Sequence, residues 1–352
     1  MTQRRVLIIG NMGYVGPVLC RHLRQCWPDA ELIGLDAAWF AQCLTADELP
    51  ERVLDSQWFL DARDLRARHL EGVDAVVYLA AVSNDPMGER FAQVTLAINQ
   101  QAALAIAALC RQAGVGHFVF ASSCSVYGYA ESGRPRSESD PLDPLTAYAQ
   151  SKVRTEQALA ASDDGRMVTT CLRFATACGI SPRLRLDLVL NDFVAAALTT
   201  GAIAVLSDGT PWRPLIDVSD MALAIEWALT RTQDAGGSTL IVNAGSDAWN
   251  YQVTALADAV AKQTGTQVSI NHEAPPDRRS YRVDFNRFRE LAPCHQPQIN
   301  LDISIARLIA LLQDLRFDDA SFRQSSFMRL NVLRSHVEAG RMNNALRWQH
   351  AV

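Results

Sequence analysis

Short apolar runs alternate with longer amphipathic stretches through the first half of this chain. Residues 5–10, 31–36, 58–61, 75–80 and 117–122, rich in Val, Ile, Leu and aromatics, predict five strands. Between them, residues 16–25 and 94–113 have helical spacing, and the second stretch is rich in Ala and Leu with no internal Gly or Pro. Strand alternating with helix predicts a parallel sheet covered on both faces. The continuous apolar run from Ala75 to Ala80 fits a strand buried on both sides.

Beyond residue 180 the pattern loosens, because Pro182, Pro211, Pro214, Pro275, Pro276, Pro293 and Pro297 cut it into short elements. Residues 181–185, 209–214 and 275–282 read as cleft-lining loops. The expected organisation is therefore residues 1–180 as a nucleotide-binding domain and 181–352 as a substrate-binding lobe, some of whose segments return to the first domain. Residues 322–348, with Phe327, Leu330, Leu333 and Val337 at helical spacing, are expected to hold a C-terminal packing helix.

At 352 residues, with 49% hydrophobic and 20% charged positions, the chain has the composition of a globular protein. A formal charge of −5 gives no basic footprint, so neither nucleic acid nor an anionic membrane surface is expected as a partner. The eight cysteines are scattered without a C-x-x-C pair, which predicts reduced thiols and no structural metal. The N-terminus runs from Arg5 straight into a short strand with no signal segment, and a cytoplasmic location is expected.

Gly10-Asn11-Met12-Gly13-Tyr14-Val15-Gly16 follows the first strand and opens a helix. In that context Gly10 permits a tight turn, Gly13 lets backbone approach a pyrophosphate, and Gly16 lets the helix pack on the strand, with helix N–H groups facing the phosphates. Met12, Tyr14 and Val15 belong to the same cradle. Asp36 ends the second strand about 20 residues later, where a carboxylate accepts the adenosine ribose hydroxyls. Ala37 and Ala38 follow it, with no cation for a 2′-phosphate, so NAD is favoured over NADP. Asp61, with Ala62, reads either as an adenine contact or as a solvated strand end.

Tyr148 and Lys152 stand at i and i+4 on one helical face, running on to Ala161. A cation beside a phenol favours the phenolate and makes it a usable base. Upstream, Ser122, Ser123 and Ser125 offer hydroxyls at the carboxyl end of the fifth strand, where ligands of such sheets bind.

Glycine loop, acidic strand end, serine strand end and Tyr-x-x-x-Lys, in this order, resemble the extended short-chain dehydrogenase/reductase family, and within it the nucleotide-sugar epimerase/dehydratase group. The resemblance spans roughly residues 5–315. It implies a Rossmann-like doubly wound parallel sheet with a smaller C-terminal substrate-binding lobe, NAD as cofactor, and a catalytic triad at Ser123, Tyr148 and Lys152, the last also holding the nicotinamide ribose. It further implies cofactor contacts from Leu79, Ala80, Ala81 and Asn99, although Asn99 equally fits a buried hydrogen-bonding spacer. For a nucleotide-diphosphate sugar it implies Arg213, Asn191 and Arg279 at the phosphates, and Thr176 and Asn84 at the sugar.

The dehydratases of that group carry an Asp-Glu pair after the catalytic hydroxyl, and here those positions are Cys124 and Ser125. A thiol and a hydroxyl do not replace two carboxylates. The expected reaction is epimerisation by transient oxidation of a sugar hydroxyl, at C4 first, and return of the hydride. Net nucleotide-sugar oxidation or keto-sugar reduction is the alternative, and a non-catalytic NAD sensor a third reading that the intact Tyr148–Lys152 pair disfavours. The apolar surplus of residues 94–113, with Val153, Ala158 and Leu159 on the catalytic helix, predicts a homodimer through a four-helix bundle with Ala107 on its seam.

Overall fold

The computed structural model describes residues 4–129, 134–274 and 280–349. Seven parallel strands form the central sheet in the order β10-β6-β5-β4-β1-β2-β3: β1 (Arg5–Ile9), β2 (Glu31–Asp36), β3 (Ser56–Phe59), β4 (Ala75–Tyr78), β5 (His117–Ser123), β6 (Val168–Phe174) and β10 (Thr239–Ala244). The order reverses between β1 and β4. Loops leaving the carboxyl ends of these two neighbours diverge, and the crevice between them is where doubly wound sheets bind ligands.

Alternate residues of β1 supply both faces. Val6 and Ile8 pack with Leu19 and Leu23 of α1 (Gly16–Cys26) and Ile225 of α6 (Val218–Thr230), while Leu7 and Ile9 pack with Ala103, Ile106 and Leu159 on the opposite side. That second face is covered by α3 (Ala92–Ala113) and α4 (Ala147–Ala161), with the short α2 (Asp85–Arg90) leading into α3. By length and composition α3 could cross a membrane, yet half of its apolar window is buried inside the protein. Its middle, Ala97–Ala102, is wound as a π-helix.

The chain enters the central sheet once more after residue 180, at β10, beside β6. A lobe with its own core is built from β11-β9-β7 (Asn250–Gln252, Trp212–Asp217, Thr176–Cys178), the pair β12-β8 (Gln267–Ile270, Ala202–Val205), α5 (Val189–Thr200), α7 (Val253–Thr264) and α9 (Leu301–Asp314). α8 (Asn286–Leu291) returns to the sheet core through Phe288. The C-terminal helix α10 (Arg329–Glu338) joins a small cluster with Trp39, Val82, Met87 and Phe91, through Leu333.

Two expectations are corrected by this architecture. The third strand begins and ends two residues earlier than its apolar pattern suggested, so Asp61 does not end it. Asp61 instead caps the turn Ala62–Asp64 by accepting from the Arg63 N–H at 2.9 Å. Ala107 and Leu159 have no exposed surface and Val153 is 8% exposed, so they belong to the subunit core and not to a seam.

Candidate active site

β1 gives way directly to Gly10, whose φ of +90° turns the chain sharply. A β-carbon there would lie 2.5 Å from the Ala80 nitrogen, so only glycine lets the β1 and β4 loops touch. A β-carbon on Gly16 would strike the Asn11 backbone at 2.2 Å, which makes that glycine a requirement of the loop itself more than of helix–strand packing. Gly13 meets only the Gly10 carbonyl, at 3.3 Å, and faces the cleft. No side chain caps α1, and Gly13, Tyr14 and Val15, just ahead of its first turn, line the same space.

This space is a cavity of about 1060 Å³ that runs between the glycine loop and the lobe. At one end it is lined by Asp36, Leu60, Asp61, Ala62 and Leu79, and at the other by Ser123, Tyr148 and Lys152. Burial pushes the Asp36 carboxyl up to about 6 although the Ala38 and Met12 N–H groups bond it, at 2.7 and 3.0 Å. Ala38 adopts a φ of +60° beside that contact. Asp61 is held low by Arg63, which overcomes the burial that works against it. An apolar slot, an acidic strand end and an uncapped helix around one glycine-walled cavity fit a dinucleotide.

The Tyr148 end of the cavity is built on α4. Thr146 caps it by accepting from the Ala149 N–H at 3.2 Å, which fixes Tyr148 in the first turn. Burial raises the Tyr148 phenol to about 12, against the lowering effect of its hydrogen bond with Ser123. Burial also lowers the Lys152 ammonium to about 7; this group donates to the Ala121 carbonyl at 2.6 Å and lies 5.4 Å from the centre of the Tyr148 ring. Beneath it, Glu156 receives Arg173 at 2.7 Å and Ser122 at 2.5 Å.

Of the other proposed site residues, Tyr14, Val15, Ala80, Ala81, Asn84, Thr176 and Arg213 line the cavity. Met12, Gly16, Asn99 and Asn191 are not among the residues that line it. Asn99 is fully buried: its amide clamps both the N–H and the C=O of Val82, at 2.9 and 3.0 Å, and donates to Ser151, so the spacer reading of this residue prevails. Asn191 is likewise spent inside the protein, accepting from Gly179 at 3.0 Å and donating to the Arg185 carbonyl at 2.8 Å, and does not reach the substrate end. Asn84 lines the cavity with both amide atoms engaged, on Met87 N–H and Asp187. Arg279 lies outside the described residues.

Sequence reading missed several lining groups. Asp187 pairs with Arg185 at 2.8 Å, and Phe40, Arg323 and Arg329 reach the cavity from segments with no motif. Among the described residues the one metal-like trio, His22, Cys26 and Glu226, joins α1 to α6 away from the cleft.

Residues 6–245 match the family described as NAD dependent epimerase/dehydratase. A UDP-glucose 4-epimerase of Azospirillum brasilense is 30% identical over 260 residues, covering 68% of this chain and 72% of its own. An uncharacterized UDP-glucose epimerase of Bacillus subtilis (strain 168) is 26% identical, over 88% of this chain and 98% of that one. Among solved structures, an NAD dependent NDP-hexosamine 5,6-dehydratase of tunicamycin biosynthesis superposes with a TM-score of 0.75 at 24% identity, covering 89% of this chain and 98% of that one.

Proposed function

This chain belongs to the NAD dependent epimerase/dehydratase family, and we propose that within it the protein is a nucleotide-sugar epimerase that inverts a hydroxyl-bearing carbon, C4. The observation that carries this reading is the state of Cys124, the residue directly after Ser123. Cys124 is 1% exposed, donates to the Arg173 carbonyl at 3.0 Å, and is raised well above the ordinary thiol range by burial. It faces away from the reacting space and offers no acid or base for eliminating water.

NAD, when bound along the glycine loop, supplies the hydride acceptor and donor. Tyr148 takes the proton of the substrate hydroxyl. Ser123, already hydrogen-bonded to the phenol, shares that proton and orients the substrate oxygen, and Lys152 supplies the positive charge that makes the phenolate accessible. Arg213 is assigned to the substrate diphosphate, where a guanidinium fork suits phosphate, and Asn84 and Thr176 to the sugar. In this reading residues 1–180 hold the cofactor, residues 181–352 mainly the nucleotide sugar, and the enzyme works in the cytoplasm.

The test is proton NMR of the purified protein with UDP- and dTDP-hexoses. The expected result is an inverted sugar with no net NADH. Accumulating NADH favours the dehydrogenase alternative, and a 4-keto-6-deoxy product refutes the proposal.

We also propose that two copies pair through α3 and α4. The partly or fully exposed positions Leu96, Ala97, Leu104 and Ala108 of α3 and Ala158 of α4 offer the small apolar face such a bundle needs. Ala108→Glu is expected to convert a dimer into monomers in sedimentation, and a wild-type monomer at micromolar concentration rules the pairing out.

A further inference from the structure

The C-terminal segment closes the adenosine end of the cleft. Trp348 donates to the Ala37 carbonyl at 2.5 Å, the His336 ring meets the Trp39 carbonyl at 3.1 Å, and Arg63 donates to the Ala345 carbonyl at 2.8 Å. Behind this seam, at the start of α10, Arg329 is 2% exposed yet lines the cavity. Its guanidinium donates to two carbonyls, of Arg183 at 2.7 Å and Ser326 at 3.4 Å, and lies 5.0 Å from the Phe40 ring centre.

What Arg329 lacks is a directly paired counter-charge; Asp187 acts on it only at a distance. Among the described residues no carboxylate lies within ion-pairing distance of it, and the two arginines nearby are already matched, Arg183 by Glu51 and Arg185 by Asp187. Desolvation pulls the guanidinium down to about 10. A buried charge of this kind is costly without a partner, and Arg329 lines a cavity large enough to bring an anion to it.

We propose that Arg329 is a diphosphate ligand of the cleft, reaching from the C-terminal segment to the phosphates of the dinucleotide or of the nucleotide sugar. A planar guanidinium that lines the cavity and spends only two of its five N–H donors on carbonyls can match phosphate oxygens bidentately. The inference rests on the functional reading above, since both diphosphates are the ligands named there.

The experiment is calorimetric titration of wild type, Arg329→Gln and Arg329→Lys with NAD and, separately, with UDP. Arg329→Gln is expected to weaken one of the two by at least ~10-fold, and Arg329→Lys to restore part of the loss. Loss on NAD alone identifies the cofactor diphosphate, and loss on UDP alone the substrate diphosphate. Unchanged binding of both, or a loss that lysine does not relieve, overturns the proposal while leaving the epimerase reading intact. A wild-type protein that binds neither ligand overturns both. Should the variants fail to fold, hydrogen exchange on wild type decides: slowing at residues 326–333 by either ligand supports the role, and no slowing by a ligand that binds refutes it.

Discussion

Replacing Glu156 by Gln tests how the catalytic helix is anchored. Glu156 lies one turn beyond Lys152, and its carboxylate takes Arg173 of β6 through Nε and Nη2 at 3.0 to 2.7 Å and Ser122 of β5 at 2.5 Å. The two side chains are 1% and 5% exposed, so no water screens the pair. Gln keeps the shape but leaves the Arg173 charge buried without its counter-ion, and breaking such a pair costs about 3–5 kcal/mol. An unfolding entropy of ~2.1 cal/mol/K per residue over 352 residues is about 0.7 kcal/mol/K, so the expected fall in Tm is about 4–7 °C. Glu156 also supports the charged form of Lys152 against burial. Losing it lowers the lysine further and moves the alkaline limb of the turnover profile to lower pH. Scanning calorimetry of E156Q, and of the double variant E156L/R173M, checks the first part. The double variant is expected to recover most of the loss, because no buried charge remains. A drop under about 2 °C for E156Q, or a double variant as unstable as the single, would refute the ion-pair argument.

Tyr148→Phe is expected to keep NAD binding and to lower turnover by at least ~10²-fold, measured by sugar inversion. Asp36→Ala combined with Ala37→Arg removes the carboxylate and supplies a 2′-phosphate partner, so the ratio of NAD to NADP affinity in titration calorimetry should fall or reverse. With its carboxyl raised to about 6, Asp36 is ionised at pH 7 and takes up a proton as pH falls through about 6. NAD affinity should therefore weaken from pH 7 to 5, and D36N should flatten that dependence.

The legible parts of this site are those where neighbouring residues share one task. The glycine loop, Asp36 and the Tyr148–Lys152 pair are each set by a turn, a strand end or a helical repeat, and local sequence records them. Arg329, Phe40 and Asp187 reach the cavity through packing between distant segments, which leaves no spacing to read. Asn99 and Asn191 show the opposite error, since an amide serves a ligand or a backbone group equally well and only the fold reveals which. The misplaced seam has a geometric cause. A π-turn at Ala97–Ala102 inserts about one extra residue, and one residue is about 100° of helix. A 3.6-residue repeat carried through it assigns the second half of α3 to the wrong face, and so puts Ala107 outside although it lies inside.

Burial acts on Tyr148 and Lys152 in a way that opposes the proposed turnover. It holds the Tyr148 phenol near 12 and the Lys152 amine near 7, so without a ligand the phenol keeps its proton at neutral pH and the amine is only partly charged. Each group needs a nearby charge to reach its working form. Both anchors of the catalytic helix lie outside the cavity lining: Glu156 on Arg173 one turn beyond Lys152, and Ser151, beside Lys152, on Asn99, which also clamps Val82 of the loop after β4. The helix is thus fixed to the sheet through Glu156 and Arg173, and to the loop after β4 through Ser151 and Asn99. On the proposed reading desolvation costs stability and confers selectivity: a positively charged ring held in the same dry space would favour the phenolate, and a stray hydroxyl compound without it would meet a neutral phenol.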